Sequence, residues 1–128
     1  MADSAYQPYV PARRPGGKPS KKQKYRVLVH RRYLEMWQKL PERVGIVNAQ
    51  QFYDHVAHNP GMIPSVGQAT ILAGKAGRPA EEGFSRTIHY EITGAGRIDY
   101  QFNDSYCGGA RGDPHPVVRI RTIDLSSH

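Results

Sequence analysis

The chain has 128 residues, room for one domain with one modest hydrophobic core. Hydrophobic residues are 38% of it and mean hydropathy is −0.64; no apolar run approaches the roughly 18 residues of a membrane helix, which excludes a helical membrane protein. The formal net charge of +7 favours an anionic partner, and a single cysteine, Cys107, excludes an internal disulfide and a cysteine-built metal cage.

Residues 1–24 hold most of that charge: Arg13, Arg14, Lys18, Lys21, Lys22 and Lys24 against the lone acid Asp3. Pro8, Pro11, Pro15, Pro19, Gly16 and Gly17 lie among them, so the stretch reads as a flexible basic arm. Two uses of it stay open, a solubilising tail and an RNA-contacting arm. The N-terminus has no apolar signal-peptide core, and the default location is cytoplasmic. The domain proper is expected over 25–128.

YRVLVH, Tyr25 to His30, alternates loosely and predicts a first strand. In RRYLEMWQKLP, Leu34, Trp37 and Leu40 fall three apart and share one helical face, which makes Trp37 a core residue; Pro41 stops or kinks that helix. A second helix, capped by Asn48, carries the apolar stripe Ala49, Phe52, Tyr53 and Val56, and HNPG from His58 to Gly61 ends it. His55 and His58, three apart on it, have no third metal ligand in view. Residues 62–84 are loose and rich in Gly, Pro and Ala; they carry Lys75 and Arg78.

RTIHYEITGAGRIDYQFND, Arg86 to Asp104, alternates on both sides of a Gly-rich pause and predicts a β-hairpin. A core face of Ile88, Tyr90, Ile92, Ile98, Tyr100 and Phe102 requires Tyr90 opposite Ile98 and Ile92 opposite Gly96, with a bulge near Gly96. The outer face then sets Glu91 against Arg97 and His89 against Asp99. A polar loop, NDSYCGGARGDPHP, leads to the last strand, VVRIRTIDL, with Val118 and Ile120 on one face and Arg119 and Arg121 on the other.

The pieces MWQKLPERV, LAGKAG, GAGRIDYQFND and VVRIRTIDLSSH occur in an order that resembles the RelE/ParE superfamily of bacterial type II toxins, from Tyr25 to His128. With the element order, the resemblance implies an α+β fold: a small, mainly antiparallel sheet with two N-terminal helices packed on one face. RelE-like members are ribosome-dependent endoribonucleases that cut messenger RNA and are neutralised by a cognate antitoxin. The resemblance therefore implies messenger RNA, the ribosome and an antitoxin protein as partners, and neither a metal nor an organic cofactor. The branch similar to ParE inhibits DNA gyrase by binding. That alternative stays open, as does a non-catalytic RNA-binding protein of the same fold.

For an RNA-cleaving face, Arg97 matches the family's hairpin arginine and is assigned to phosphate stabilisation, or to a cross-strand salt bridge with Glu91. Lys75 matches the lysine of the preceding loop. Arg78, Arg86, Arg119 and Arg121 add RNA-binding charge, with a solvated edge face as the plain alternative for the last two. His89 and Glu91 compete for the general-base role; Glu91 held by Arg97 would be the poorer base and His89 near Asp99 the better. His128 stands where related enzymes place a general acid, against the alternative of a frayed terminus.

Overall fold

The alternation of the Arg86–Asp104 stretch folds as expected, and the rest of the sheet is built outward from it. The structure, a computed structural model, describes residues 8–17, 22–62, 69–79, 83–93, 96–106 and 114–125. The elements in order are β1 (Tyr9–Pro11), β2 (Arg26–His30), α1 (Leu34–Gln38), α2 (Leu40–Val44), α3 (Ile46–His58), β3 (Ala69–Ile71), β4 (Ile88–Glu91), β5 (Arg97–Tyr106) and β6 (His115–Asp124). Short 3₁₀ turns span Arg31–Tyr33 and Gly74–Gly77. The fold is α+β: one mixed six-stranded sheet, in the order β1-β2-β6-β5-β4-β3, with three helices. β2 pairs with β6 in parallel, and every other pairing is antiparallel.

The hairpin register is the expected one: Tyr90 faces Ile98, His89 faces Asp99 and Glu91 faces Arg97, while the Ile92 amide donates to the Gly96 carbonyl at 3.0 Å. The turn residues 94 and 95 lie outside the described residues. The recorded irregularities fall between β5 and β6, at Asp99/Tyr100 and Asn103/Tyr106, and not at Gly96. From Asp99–Thr122 to Tyr100–Ile120, β5 advances one residue and β6 two. Arg121 is the extra residue of that bulge, so it and Thr122 both turn to the outer face.

The sheet is wider than the sequence reading allowed, because two short strands were missed. Residues 8–17, expected to belong to a flexible arm, are part of the domain. β1 adds to the edge of β2, with Val10 against Val29. Beyond it the Arg14 guanidinium grips Asp54 at 2.8 and 3.0 Å, the Trp37 indole N–H donates to the Arg13 carbonyl at 3.0 Å, and Gln50 donates to the Pro15 carbonyl at 2.9 Å. Side chains of the helices supply the binding that the segment's own apolar content lacks. Residues 1–7 and 18–21 of the expected arm lie outside the described residues. β3 forms at the far edge, pairing Ala69 with Tyr90 and Ile71 with Ile88.

The first expected helix is two. α1 ends at Gln38, and Pro41 occupies the first turn of α2, where a missing N–H is harmless. Asn48 does not cap α3, which begins at Ile46 behind Gly45 at φ +93°. Its amide instead donates to the Val44 carbonyl at 2.8 Å, satisfying the end of α2. Trp37, Leu40, Ala49, Phe52, Tyr53 and Val56 then pack on Val27, Val29, Ile88, Tyr90, Ile98, Tyr100, Val118 and Ile120 in one core between helices and sheet. The opposite face of the sheet carries a small second cluster of Tyr9, Leu28 and Val117, with Tyr106 against it. The last loop is shorter than read, because β5 runs on to Tyr106 and β6 starts at His115.

Candidate nucleic-acid interface on the outer sheet face

Strand alternation sends every second side chain away from the helices, and cross-strand register lines those side chains into rows. One row crosses the whole sheet. Tyr9 is opposite His30, Thr122 opposite Asp99, Asp99 opposite His89 and His89 opposite Thr70. Arg121, the bulge residue, fills the step between His30 and Thr122. At its centre His89 Nδ1 lies 2.6 Å from Asp99 Oδ1, with both side chains about three-quarters buried. An ionised carboxylate only accepts, so Nδ1–H is the donor and the lone pair of His89 stays on Nε2. Asp99 thus fixes the orientation of the ring, the arrangement by which a carboxylate makes an imidazole an oriented base.

One register step away, Arg97 and Glu91 face each other at the end of the hairpin, and both are exposed. No ion pair between them occurs among the described residues; the expected Glu91–Arg97 salt bridge is therefore a matter of register only, and the guanidinium of Arg97 stays open to solvent.

The other predicted cations separate. Arg119 is the clearest correction: it is 5% exposed, with its guanidinium carbon 4.3 Å from the Phe84 ring centre, 4.8 Å from that of Tyr9 and 4.9 Å from that of Tyr106. Its Nη2 donates to the Tyr106 hydroxyl at 2.8 Å. It is a structural cation inside an aromatic cage, not a phosphate ligand. Arg86 works on backbone: Nε donates to the Leu72 carbonyl at 2.9 Å and Nη2 to the Gly74 carbonyl at 2.5 Å. These bonds pin the Gly74–Gly77 turn that carries Lys75, whose side chain is exposed. Gly77 closes the same turn; a Cβ there would stand 2.0 Å from the Leu72 carbonyl oxygen. Arg78 is exposed, and its carbonyl accepts from the buried Gln101 at 3.0 Å, while Gln101 also donates to Thr87 Oγ1 at 2.9 Å. Lys75 and Arg78 therefore sit on and just after a braced turn that follows the edge strand β3 and lies beside the segment leading into β4. His128 and Cys107 lie outside the described residues. His55 and His58 are occupied separately: the His55 ring lies 5.7 Å from that of Tyr90, and His58 bonds the carbonyls of Asp54 and Lys22 at 3.0 and 3.2 Å.

At the other end of the row, sequence reasoning named Arg121 and missed the residues around it. His30, Arg32, Tyr33, Tyr9, Arg121 and Thr122 line a notch of about 250 Å³. The ring of Tyr9 meets His30 edge-on at 5.1 Å, and His30 meets Tyr33 at 6.5 Å. Arg121 Nε donates to the Tyr9 hydroxyl at 3.3 Å, and the Arg32 amide donates to His30 Nδ1 at 3.1 Å. Burial, followed by the guanidiniums of Arg32 and Arg121, holds the His30 imidazole below the usual histidine range. The signal was present in the sequence as a strand closing on His30, followed directly by Arg31 and Arg32.

Among the described residues no helix is long and apolar enough to cross a membrane. Compared with protein-family models, with curated proteins and with solved structures, the chain matches none.

Proposed function

We propose that the protein is an RNA endonuclease of the RelE-like kind, the toxin of a type II toxin–antitoxin pair, cutting messenger RNA on the ribosome with the outer face of its sheet. The observation that carries the reading is the His89–Asp99 pair at 2.6 Å, held in the row that also carries His30 and Arg121 and one register step from the open guanidinium of Arg97. RNA supplies its own nucleophile, so the protein has to move two protons and stabilise charge. His89 Nε2 takes the proton of the 2′-hydroxyl, and Asp99 holds the ring in orientation. The 2′-oxygen attacks phosphorus and the P–O5′ bond breaks, leaving a 2′,3′-cyclic phosphate. Arg97 faces the negative charge that develops on the phosphorane oxygens. The leaving 5′-oxygen takes its proton from an acid, the role expected of His128. Lys75 on its braced turn holds the flanking RNA. The α+β architecture and the net charge of +7 are compatible with the same reading.

Induced expression followed by primer-extension mapping of cellular transcripts tests it. Codon-phased cuts confined to translated messages are the expected result. Intact messages accompanied by cleaved, stalled DNA would transfer the protein to the gyrase-inhibiting reading.

A further inference from the structure

The notch of Tyr9, His30, Arg32, Tyr33, Arg121 and Thr122 is built from donors and rings, with no carboxylate among its described lining residues. Its cations come from two separate elements, Arg32 from the turn after β2 and Arg121 from the bulge in β6. Arg121 spends one N–H on the Tyr9 hydroxyl, which fixes the guanidinium plane and leaves its terminal nitrogens for another acceptor. His30 uses Nδ1 to accept from the Arg32 amide, so the neutral ring carries its proton on Nε2 and is a donor as well. Thr122 and Tyr33, both hydroxyl-bearing residues, complete the lining. Two guanidiniums with neutral donors around them form the donor set for a phosphate group, whose oxygens accept several hydrogen bonds at once. The half-exposed ring of Tyr33 adds a surface on which a base stacks.

Position ties the notch to the row. Thr122 is the register partner of Asp99, and Asp99 holds His89. At about 4.8 Å per strand, Thr122 on β6 and His89 on β4 are about 10 Å apart. That separation exceeds one nucleotide step of backbone and suits a phosphate about two nucleotides from the scissile one along a single strand laid across the sheet, perpendicular to β4, β5 and β6.

We propose that this notch is a second phosphate subsite, gripping the backbone of single-stranded RNA beside the phosphodiester whose 2′-hydroxyl gives its proton to His89; the inference rests on the RNA-cleaving reading of the same face. Its wall includes Tyr9 from β1, so the strand added by residues 8–17 completes the site as well as extending the sheet.

The probe is a short, fluorescently labelled 2′-O-methyl RNA, which lacks the attacking hydroxyl and is not cut. Its affinity is measured by anisotropy over a range of salt for wild type, Arg32→Gln, Arg121→Gln and Arg31→Gln. Arg32 is exposed, so its variant folds even if loss of the Arg121–Tyr9 bond disturbs β1. Arg32→Gln and Arg121→Gln are expected to bind about tenfold more weakly, with a salt slope shallower by about 0.7 for each lost phosphate contact. Arg31→Gln, exposed and outside the notch, is expected to stay within twofold of wild type. Inorganic phosphate is the second probe; it should compete with the RNA in wild type and lose that effect in Arg32→Gln. His89→Gln separates this inference from the reading beneath it, because it should abolish cutting and leave anisotropy binding unchanged. Equal affinities for all variants, or no RNA binding by wild type, overturn the proposal and give the notch to an anionic partner of another class. Loss of phosphate competition with RNA affinity intact overturns it too, leaving a free-phosphate site.

Discussion

Arg119→Met separates a structural cation from an RNA ligand. The side chain keeps its length and apolar stem but loses the guanidinium. In the cage that group sits 4.3, 4.8 and 4.9 Å from three ring centres. At about 0.5–1 kcal/mol per contact the three are worth about 2 kcal/mol together. The bond to the Tyr106 hydroxyl adds about 1 kcal/mol. Releasing a buried guanidinium to an apolar replacement returns part of its desolvation, about 1 kcal/mol on the same scale. The net loss is about 2 kcal/mol, and at about 4 °C per kcal/mol for a domain of this size the melting temperature should fall by about 8 °C. Thermal denaturation followed by circular dichroism reads the shift, and anisotropy with 2′-O-methyl RNA at 20 °C reads function, which should stay within twofold of wild type. A variant that melts with wild type but has lost RNA affinity would refute the reasoning, because the guanidinium would then be spending its charge on a ligand and not on Phe84, Tyr9 and Tyr106.

Asp99→Asn should fold normally but lower the cleavage rate about 10²–10³-fold, since an amide no longer enforces the Nδ1–H tautomer of His89; single-turnover cleavage on programmed ribosomes measures it. Arg86→Ala removes the bonds to the Leu72 and Gly74 carbonyls, about 1–2 kcal/mol of local stability, so amide hydrogen exchange in residues 72–77 should accelerate while the core amides of β5 stay protected. Alkaline titration should weaken the fold. Burial raises the phenols of Tyr53, Tyr90 and Tyr100, and burial with the Asp104 hydrogen bond pushes Tyr25 up to about 12. The unfolded chain gives up these protons near pH 10 and the folded chain keeps them, so stability present below pH 10 is lost as pH rises. For Tyr25 the loss reaches about 2–3 kcal/mol by pH 12, and urea midpoints collected between pH 8 and 12 should fall accordingly.

The hairpin was legible because two constraints agreed: the apolar face admitted one register, and that register paired His89 with Asp99. The helical stripe of Phe52, Tyr53 and Val56 was legible for the same reason, since a single period fixes which side is buried. β1 was hidden because Pro8, Pro11 and Pro15 and six cations read as a solvated arm, while the groups that dock it, Trp37, Gln50 and Asp54, lie 24 to 40 residues away. Arg119 was misread for a related reason. Alternation assigns a side chain to a face but does not say what covers that face, and here Phe84, Tyr106 and Tyr9 arrive from three distant segments. The candidate site was half visible: the His89–Asp99 pair and Arg97 follow from local pattern, whereas joining His30 and Arg32 to Arg121 required the parallel pairing of β2 with β6, a contact between the two ends of the domain.

Single-turnover cleavage of a translated message by wild type, His89→Gln and Arg97→Ala, with 5′ ends mapped at nucleotide resolution, tests the central claim most directly. His89→Gln keeps a donor for Asp99 but has no base, and Arg97→Ala removes an exposed group with no ion pair among the described residues, so both should melt within a few degrees of wild type. The account predicts ribosome-dependent cuts by wild type, none above background by His89→Gln, and a rate lower by about 10²–10³-fold for Arg97→Ala. Undiminished cutting by folded His89→Gln, or no cutting by wild type on translating ribosomes, would contradict it.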